Sequence, residues 1–538
     1  MHISRAVSKP ARRLSAWGAA SALALAPWLC PSPAVAQDLV IPGQNSLAEV
    51  DEIELVYAGS QTTPKIIVRG RQSANSFVLS SYRPPDEHLD LLALTAASHP
   101  IESCQVTRLR ATPPLHLRFD HAENSPCGII WSLQKAGKSL DALSFRTLHL
   151  RGTTSQPLTI EFVDGLTDQR HTHAIVERVT GPFSLDISLA PLARHLDLRY
   201  LTELKLLTES DADLVLEEFS LVGPASDPPL SRSMAFWYWD YQSAIRDPKG
   251  MLAACEKQHC RRILLQLPDL RDSDQIWSAY TGLFGMAASA NIELFALDGA
   301  PDMIDHAAPL IAKVDRLLAL TGIRGLPGLQ LDIEPYLLES FPEDATIFDR
   351  YLNTIDRVKA ALDGRTKLSM VIPFWFSSTM HGQRSLAFSV MDRADEVTVM
   401  SYRTDVDELI TISDDLLRYG ALERVPVWLA LETTSLLPER HVVLKREQRA
   451  ALVDGVLDPI RRTLSLDLPS QEMLPGRDHT IWFRIHHRTM IRPERISFSG
   501  RSERDVQRTI TDIFARIHQS SFSGLVIHDL PGYMALTR

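Results

Sequence analysis

Two rhythms of apolar and polar positions divide this chain. In its first part apolar residues alternate with polar ones in short runs parted by turn residues, at 53–57, 144–150, 158–162, 184–187, 203–207 and 214–221. A period of two places alternate side chains on opposite faces, so these runs predict the strands of a β-sandwich over residues 37–222. A polar, proline-rich stretch follows within 223–232 and reads as a linker. Beyond it, short apolar runs at 234–239, 262–267, 292–297, 328–333, 367–374, 396–401, 426–431 and 524–528 alternate with amphipathic stretches such as 303–320, 347–362 and 405–419. Strand and helix periods that alternate in this way predict a (β/α)8 TIM barrel over 233–538, whose chemistry lies at the carboxyl ends of its strands. Between the seventh and eighth strands a long insertion reads as helix at 437–464, extended at 480–487 and 495–498, and helix again at 505–518.

The amino terminus has a different character. Arg5, Lys9, Arg12 and Arg13 precede an apolar, alanine-rich run from Trp17 to Cys30, and Ala34-Val35-Ala36 supplies the small residues of a cleavage site. Residues 1–36 therefore read as a secretory signal peptide cut after Ala36, with the mature protein secreted or periplasmic. No later segment reaches the ~20 uninterrupted apolar residues of a membrane helix, so no stable membrane insertion is expected. Loss of four leader bases, with no acids among them, takes the formal charge from −10 to −14. Such a balance argues against nucleic acid as a partner. Four cysteines remain, and their spacing allows two local bridges, Cys104–Cys127 and Cys255–Cys260, among three pairings. They do not form a zinc pattern, and His486 and His487, adjacent on an extended run with His479 just before it, face opposite ways; neither a metal nor a cofactor is expected.

The chemistry concentrates at Gly328-Leu329-Gln330-Leu331-Asp332-Ile333-Glu334-Pro335. Asp332 and Glu334 share one face of the fourth strand's exit while Leu331 and Ile333 pack behind them. Two acids so placed raise one another's pKa, which suits proton donation near neutral pH. The other strand ends bring Trp237, Trp239 and Asp240 after strand one, Asp269 after strand two, and Asp298 after strand three. Strand five contributes Trp375, strand six Tyr402 and Arg403, strand seven Glu432, and strand eight His528 and Asp529. Acids and aromatic rings together fit a carbohydrate, whose C–H faces stack on rings and whose hydroxyls meet charged acceptors. Asp240, Asp269, Asp298 and Glu432 also admit a plainer reading as helix caps or loop acids.

Leu331-Asp332-Ile333-Glu334, with Val397-Thr398-Val399-Met400-Ser401-Tyr402 at the sixth strand, resembles the Asp-x-Glu and Met-x-Tyr elements of family 18 glycoside hydrolases, the chitinase-like barrels. That resemblance implies that Glu334 is the proton donor, that Asp332 supports it, and that Tyr402 holds a substrate acetamido group acting as nucleophile. It also implies that the insertion after strand seven walls the cleft. The chain differs from the family at Gln330, Arg403 and His528, where those barrels carry an acid, an aspartate and a tryptophan. A second segment, Val425-Pro426-Val427-Trp428-Leu429-Ala430-Leu431-Glu432, resembles the seventh-strand nucleophile segment of retaining glycosidase barrels related to cellulases and β-galactosidases. This second resemblance implies Glu432 as nucleophile opposite Glu334. The order of the sandwich strands resembles the galactose-binding-like jelly rolls attached to glycan enzymes, which implies a sugar-binding module.

The sequence thus leads to an exported glycoside hydrolase acting on a polysaccharide or oligosaccharide, with Glu334 as general acid/base and Glu432 taking part. Two other readings stay open: a non-catalytic glycan-binding protein, and an assembly component of an envelope polysaccharide apparatus with a hydrolase-like barrel.

Overall fold

The computed structural model describes residues 37–41, 47, 50–61, 63–70, 80–84, 87–101, 104–110, 113–121, 126–165, 172–177, 180–223, 232–321, 326–338, 340–341, 344–448, 453–466 and 480–537. The expected signal peptide, residues 224–231 of the expected linker, and His479 lie outside them.

Eight parallel strands, Ser233–Tyr238, Cys260–Gln266, Glu293–Asp298, Gly328–Leu331, Lys367–Pro373, Glu396–Met400, Val427–Glu432 and Phe522–His528, close into a barrel in that order. Each falls within one or two residues of an apolar run, because a strand covered on both faces must be apolar almost throughout. Surrounding helices bury one stripe each. Ile347–Leu362, for example, turns Ile347, Tyr351, Leu352, Ile355, Val358 and Leu362 inward and stops at Asp363, whose left-handed backbone ends the helix.

The barrel interior is polar in layers. Toward the amino ends of the strands, Arg262 reaches Glu396 at 2.5 Å and Glu293 at 2.8 Å while its guanidinium covers the Phe295 and Trp428 rings. A charge this buried is tolerated because it is paired and stacked. One layer up, Gln330 accepts a hydrogen bond from Trp237 Nε1 at 2.5 Å and donates to Ser369 Oγ at 2.9 Å and Thr398 Oγ1 at 3.0 Å. Four strands are thereby joined at mid-barrel, directly beneath the rim that carries the acids.

Ahead of the barrel, two mostly antiparallel sheets face one another. One contains Leu158–Asp164, Leu201–Thr208 and Cys127–Ser132; the other contains Gly181–Ser188, Thr147–Thr154, Ala212–Val222, Leu115–His121 and Cys104–Arg110. Trp131 and Phe219 meet edge to face across them at 4.9 Å. Cys104–Cys127 bonds sheet to sheet, and Cys255–Cys260 ties the helix Pro248–Lys257 to the second barrel strand.

Two expectations are corrected by a third sheet. Its order runs Gln37–Val40, Thr463–Leu466, Gly455–Asp458, Ile481–Ile491, Glu439–Arg446, Val50–Ala58, Lys65–Gly70. The strands Gln37–Val40 and Val50–Ala58, expected in the sandwich, therefore pair with the insertion after barrel strand seven, with Lys65–Gly70 beside Val50–Ala58, around a small core of their own that includes Ile53, Leu55, Leu444, Leu457 and Phe483. Within the expected helix over 437–464, of which 449–452 lie outside the described residues, Glu439–Arg446 and Gly455–Asp458 are instead strands; Val50–Ala58 and Ile481–Ile491 take up the hydrogen bonds on both edges of Glu439–Arg446. At 495–498 the expected extended run begins as a helical turn, Pro493–Ile496, with proline at its first position.

Sandwich and barrel meet through charge. Arg199 lies buried between Asp197 at 2.6 Å and Asp415 at 3.1 Å, donates to the Ser377 carbonyl at 2.8 Å, and stacks over Phe388. From the barrel side, Arg418 reaches Asp141 of the sandwich at 2.7 Å.

Candidate active site

The fourth strand ends at Leu331, and the chain then carries Asp332 and Glu334 over the rim with Leu331 and Ile333 buried behind, as alternation requires. Asp332 donates its backbone N–H to the Asp298 carbonyl at 2.9 Å. The third strand's exit can run that close because Gly299 has no Cβ; one built there would lie 2.0 Å from the Asp332 carbonyl oxygen.

Glu334 is half-buried, and Tyr336 donates its phenolic hydrogen to one carboxylate oxygen. Burial raises the Glu334 carboxyl above its usual pKa, against the lowering effect of Tyr336 and of nearby His528. Tyr336, in turn, is held well above its ordinary pKa by burial and by Glu334, so it stays a donor. Behind the two acids stands Tyr351. Its fully buried hydroxyl has no hydrogen-bond partner among the described residues, and Asp332 and Glu334, together with burial, push it toward the neutral form. Neither tyrosine was singled out in the sequence. Tyr336 lies only two residues beyond Glu334, and Tyr351 falls on the inward stripe of a helix, where it reads simply as core.

Aromatic walls flank these groups. Trp375, half exposed, stands edge-on to Tyr336 at 5.1 Å; Trp239 and Tyr402 are also half-buried against the core. Tyr402 tilts against the His528 ring at 6.3 Å, and Trp237 meets that ring edge to face at 5.6 Å. Trp237 is fully buried, so it supports the site from beneath as the partner of Gln330 and offers no surface to a ligand.

The remaining strand-end acids are committed elsewhere. Asp240 caps the helix Tyr241–Arg246, accepting from Ser243 N–H at 2.9 Å and its hydroxyl at 2.6 Å, and Asp529 caps Leu530–Met534 through Gly532 N–H at 2.8 Å. Asp269 sits in a loop turned back on Arg271. Asp298 is buried against Lys313 at 2.8 Å; burial raises its pKa and Lys313 opposes that rise. Arg403 is buried over the Phe374 ring and donates to the Tyr402 carbonyl at 2.7 Å, its pKa lowered by burial and by neighbouring Arg495.

Glu432 departs most from expectation. It is fully buried, one oxygen accepting from Thr434 N–H at 2.6 Å and Thr434 Oγ1 at 2.7 Å, the other from His528 Nδ1 at 2.8 Å. A nucleophile needs an oxygen open to the sugar, and both of these are taken. The carboxylate instead fixes the His528 ring. Among the described residues no cluster of side chains is arranged to hold a metal.

No family model matches the chain, and no curated protein matches it. Among solved structures it is similar to a chitinase from Bacteroides thetaiotaomicron, at 10% identity over 56% of this chain and 90% of that one, with a TM-score of 0.31. It is also similar to a class V chitinase from Nicotiana tobaccum (11%, 56% and 95%, TM-score 0.32) and to the Bacillus cereus spore cortex-lytic enzyme SleL (8%, 58% and 73%, TM-score 0.31). Likeness at this level is too slight to bear on chemistry, which is left to the residues themselves.

Proposed function

We propose that the barrel hydrolyses a glycosidic bond, with Glu334 as general acid. The observation that carries this is the Glu334 carboxyl: raised by burial and hydrogen-bonded by Tyr336, whose ring stands edge-on to Trp375, at the carboxyl end of a closed barrel. Asp240, Asp269, Asp298, Asp529 and Glu432 serve caps, ion pairs or His528, and the reaction is assigned to Glu334 with Asp332 beside it. Being two residues apart on one strand exit, they cannot flank a sugar ring from opposite faces as a retaining or inverting pair does.

The attacking oxygen is therefore supplied by the substrate, as a 2-acetamido carbonyl. Glu334 gives its proton to the glycosidic oxygen as the C1–O bond breaks, while the acetamido oxygen closes on C1. Asp332 accepts the acetamido N–H, whose positive charge grows in that step, and the Tyr402 hydroxyl orients the acetamido group. Water then opens the ring at C1, surrendering a proton to the Glu334 carboxylate, which restores the acid. Trp239 and Trp375 offer faces for neighbouring sugars. The leader and the two disulfides support an exported protein, and the sandwich is read as a glycan-holding module.

Glu334→Gln keeps the shape and removes the proton, so turnover of an N-acetylhexosamine oligosaccharide should fall by ~10²–10⁴-fold with the fold intact. Unchanged turnover in that variant overturns the assignment. Binding by the wild-type protein without any turnover would return the barrel to glycan recognition alone.

A further inference from the structure

Pro335, directly after Glu334, has no N–H and a fixed φ, and it opens the single helical turn Pro335–Leu337. Leu337 N–H closes that turn on the Glu334 carbonyl at 3.0 Å, which brings Tyr336 back against the side chain two positions before it. Only 3% of Tyr336 is exposed, and its ring is held edge-on by Trp375 at 5.1 Å and Phe376 at 6.0 Å. Among the described residues its hydroxyl has one hydrogen-bond partner, Glu334 Oε1, and Glu334 receives no other donor on its side chain.

A phenol carries one hydrogen, and a neutral carboxyl group carries one. Were the acid's hydrogen on Oε1, it would point at the phenol oxygen. The tyrosine's own hydrogen would then be left among aromatic rings as a buried donor without an acceptor, which is costly. With the tyrosine donating, Oε1 is the carbonyl oxygen of the acid and Oε2 carries the hydrogen.

We propose that Tyr336 is the positioning residue of the general acid: it confines the transferable hydrogen to Glu334 Oε2 and supports Oε1 as that oxygen gains charge. This rests on the reading of Glu334 as proton donor and adds how the proton is presented. As the Oε2–H bond breaks, its electron pair stays on the carboxylate and the hydrogen passes to the glycosidic oxygen. The phenol's hydrogen bond to Oε1 then becomes charge-assisted and stronger, so it acts on the departing state more than on the resting acid. The other ionisable groups about the carboxyl are Asp332 on its own segment, Tyr351 from the helix Ile347–Leu362, Tyr402 after strand six, and His528 on strand eight with Glu432 behind it. Of these, His528 lowers the Glu334 pKa by its charge, in the same sense as Tyr336.

The test uses the full chain. Tyr336→Phe keeps the ring and removes the hydroxyl, so turnover of an N-acetylglucosamine oligomer should fall ~10-fold or more. The 4-nitrophenyl glycoside of the same sugar, whose leaving group needs little help from an acid, should lose several-fold less. Because the phenol lowers the Glu334 pKa, its removal keeps the carboxyl protonated to higher pH, and the alkaline limb of kcat/KM should move up. Added to Glu334→Gln, Tyr336→Phe should cost less than ~2-fold more, since the group it serves is already gone. An alkaline limb that stays or moves down, equal losses on the two substrates, or an additive loss in the double variant overturns the proposal. If Tyr336→Phe does not fold, exchange of Tyr336 for 3-fluorotyrosine keeps the hydroxyl and strengthens its donation; the limb should then move down, and an unmoved limb overturns the proposal. Infrared carboxyl spectra, each protein read against its Glu334→Gln counterpart, follow the same titration without substrate. If the wild type cleaves nothing, the hydrolase reading fails, while an upward shift of that titration in Tyr336→Phe upholds Tyr336 as the group that sets the Glu334 proton; no shift ends that assignment as well.

Discussion

His528 and Glu432, 96 residues apart, are joined by a 2.8 Å hydrogen bond from imidazole Nδ1 to a fully buried carboxylate. The bond turns an acid resembling a glycosidase nucleophile into the support of a histidine. Glu432→Ala would strand the Thr434 N–H and hydroxyl and the His528 Nδ1 donor. It should therefore cost about 2 kcal/mol or more of stability in denaturant unfolding. Azide added to that variant should not restore turnover; rescue, with azide appearing at the sugar's C1, would make Glu432 the nucleophile after all.

Glu334 links stability to pH. Its folded pKa lies above the ordinary 4.5, so above that pH the unfolded carboxyl ionises first and the folded state holds the extra proton. Stability then falls as pH climbs from 4.5 through the folded pKa. Glu334→Gln removes this loss, so the variant should melt higher than wild type at pH 7, with the gap closing near pH 4. A gap that is constant with pH would mean that the carboxyl is not raised.

His441 sits between Glu54 at 2.8 Å and Glu439 at 3.3 Å, on the strand pair that joins the amino-terminal segment to the insertion. Burial opposes its charge, yet hydrogen bonds to Glu439 and Glu54 hold its pKa up at about 9, from 6.5. A raised histidine contributes stability that is complete below 6.5 and lost as pH rises through about 9. Limited proteolysis at the strand Val50–Ala58 should therefore quicken between those pH values in wild type and much less in His441→Gln. Equal acceleration in both would discard the link.

Arg199 fastens sandwich to barrel. Arg199→Ala leaves Asp197 and Asp415 without their shared cation and uncovers Phe388, a loss of about 3–5 kcal/mol by the usual cost of breaking a buried pair. Unfolding followed by calorimetry should shift accordingly. Retention of full stability would mean that Arg418–Asp141 and the other contacts hold the two units together without Arg199.

The strand periods and the Asp332–Glu334 alternation were legible in the chain because each depends on residues close in sequence: a buried strand must be apolar, and a period of two fixes a face; the sequence left three cysteine pairings open, of which the structure has the two local bridges. The work assigned to each acid was not. Asp240 and Asp529 look like site acids until the helices they cap are seen, Asp298 until Lys313 folds beside it, and Glu432 until strand eight delivers His528. Pairing of Gln37–Val40 and Val50–Ala58 with strands some four hundred positions later was equally hidden, since which edge accepts a strand depends on what else needs hydrogen bonds in the folded chain. Sequence determined which residues could be strands and which could carry a proton. Tertiary structure decided which acids became caps, ion-pair partners or the support of a histidine, because a carboxylate's role depends on the donors and dielectric around it, and those arrive from elsewhere in the chain.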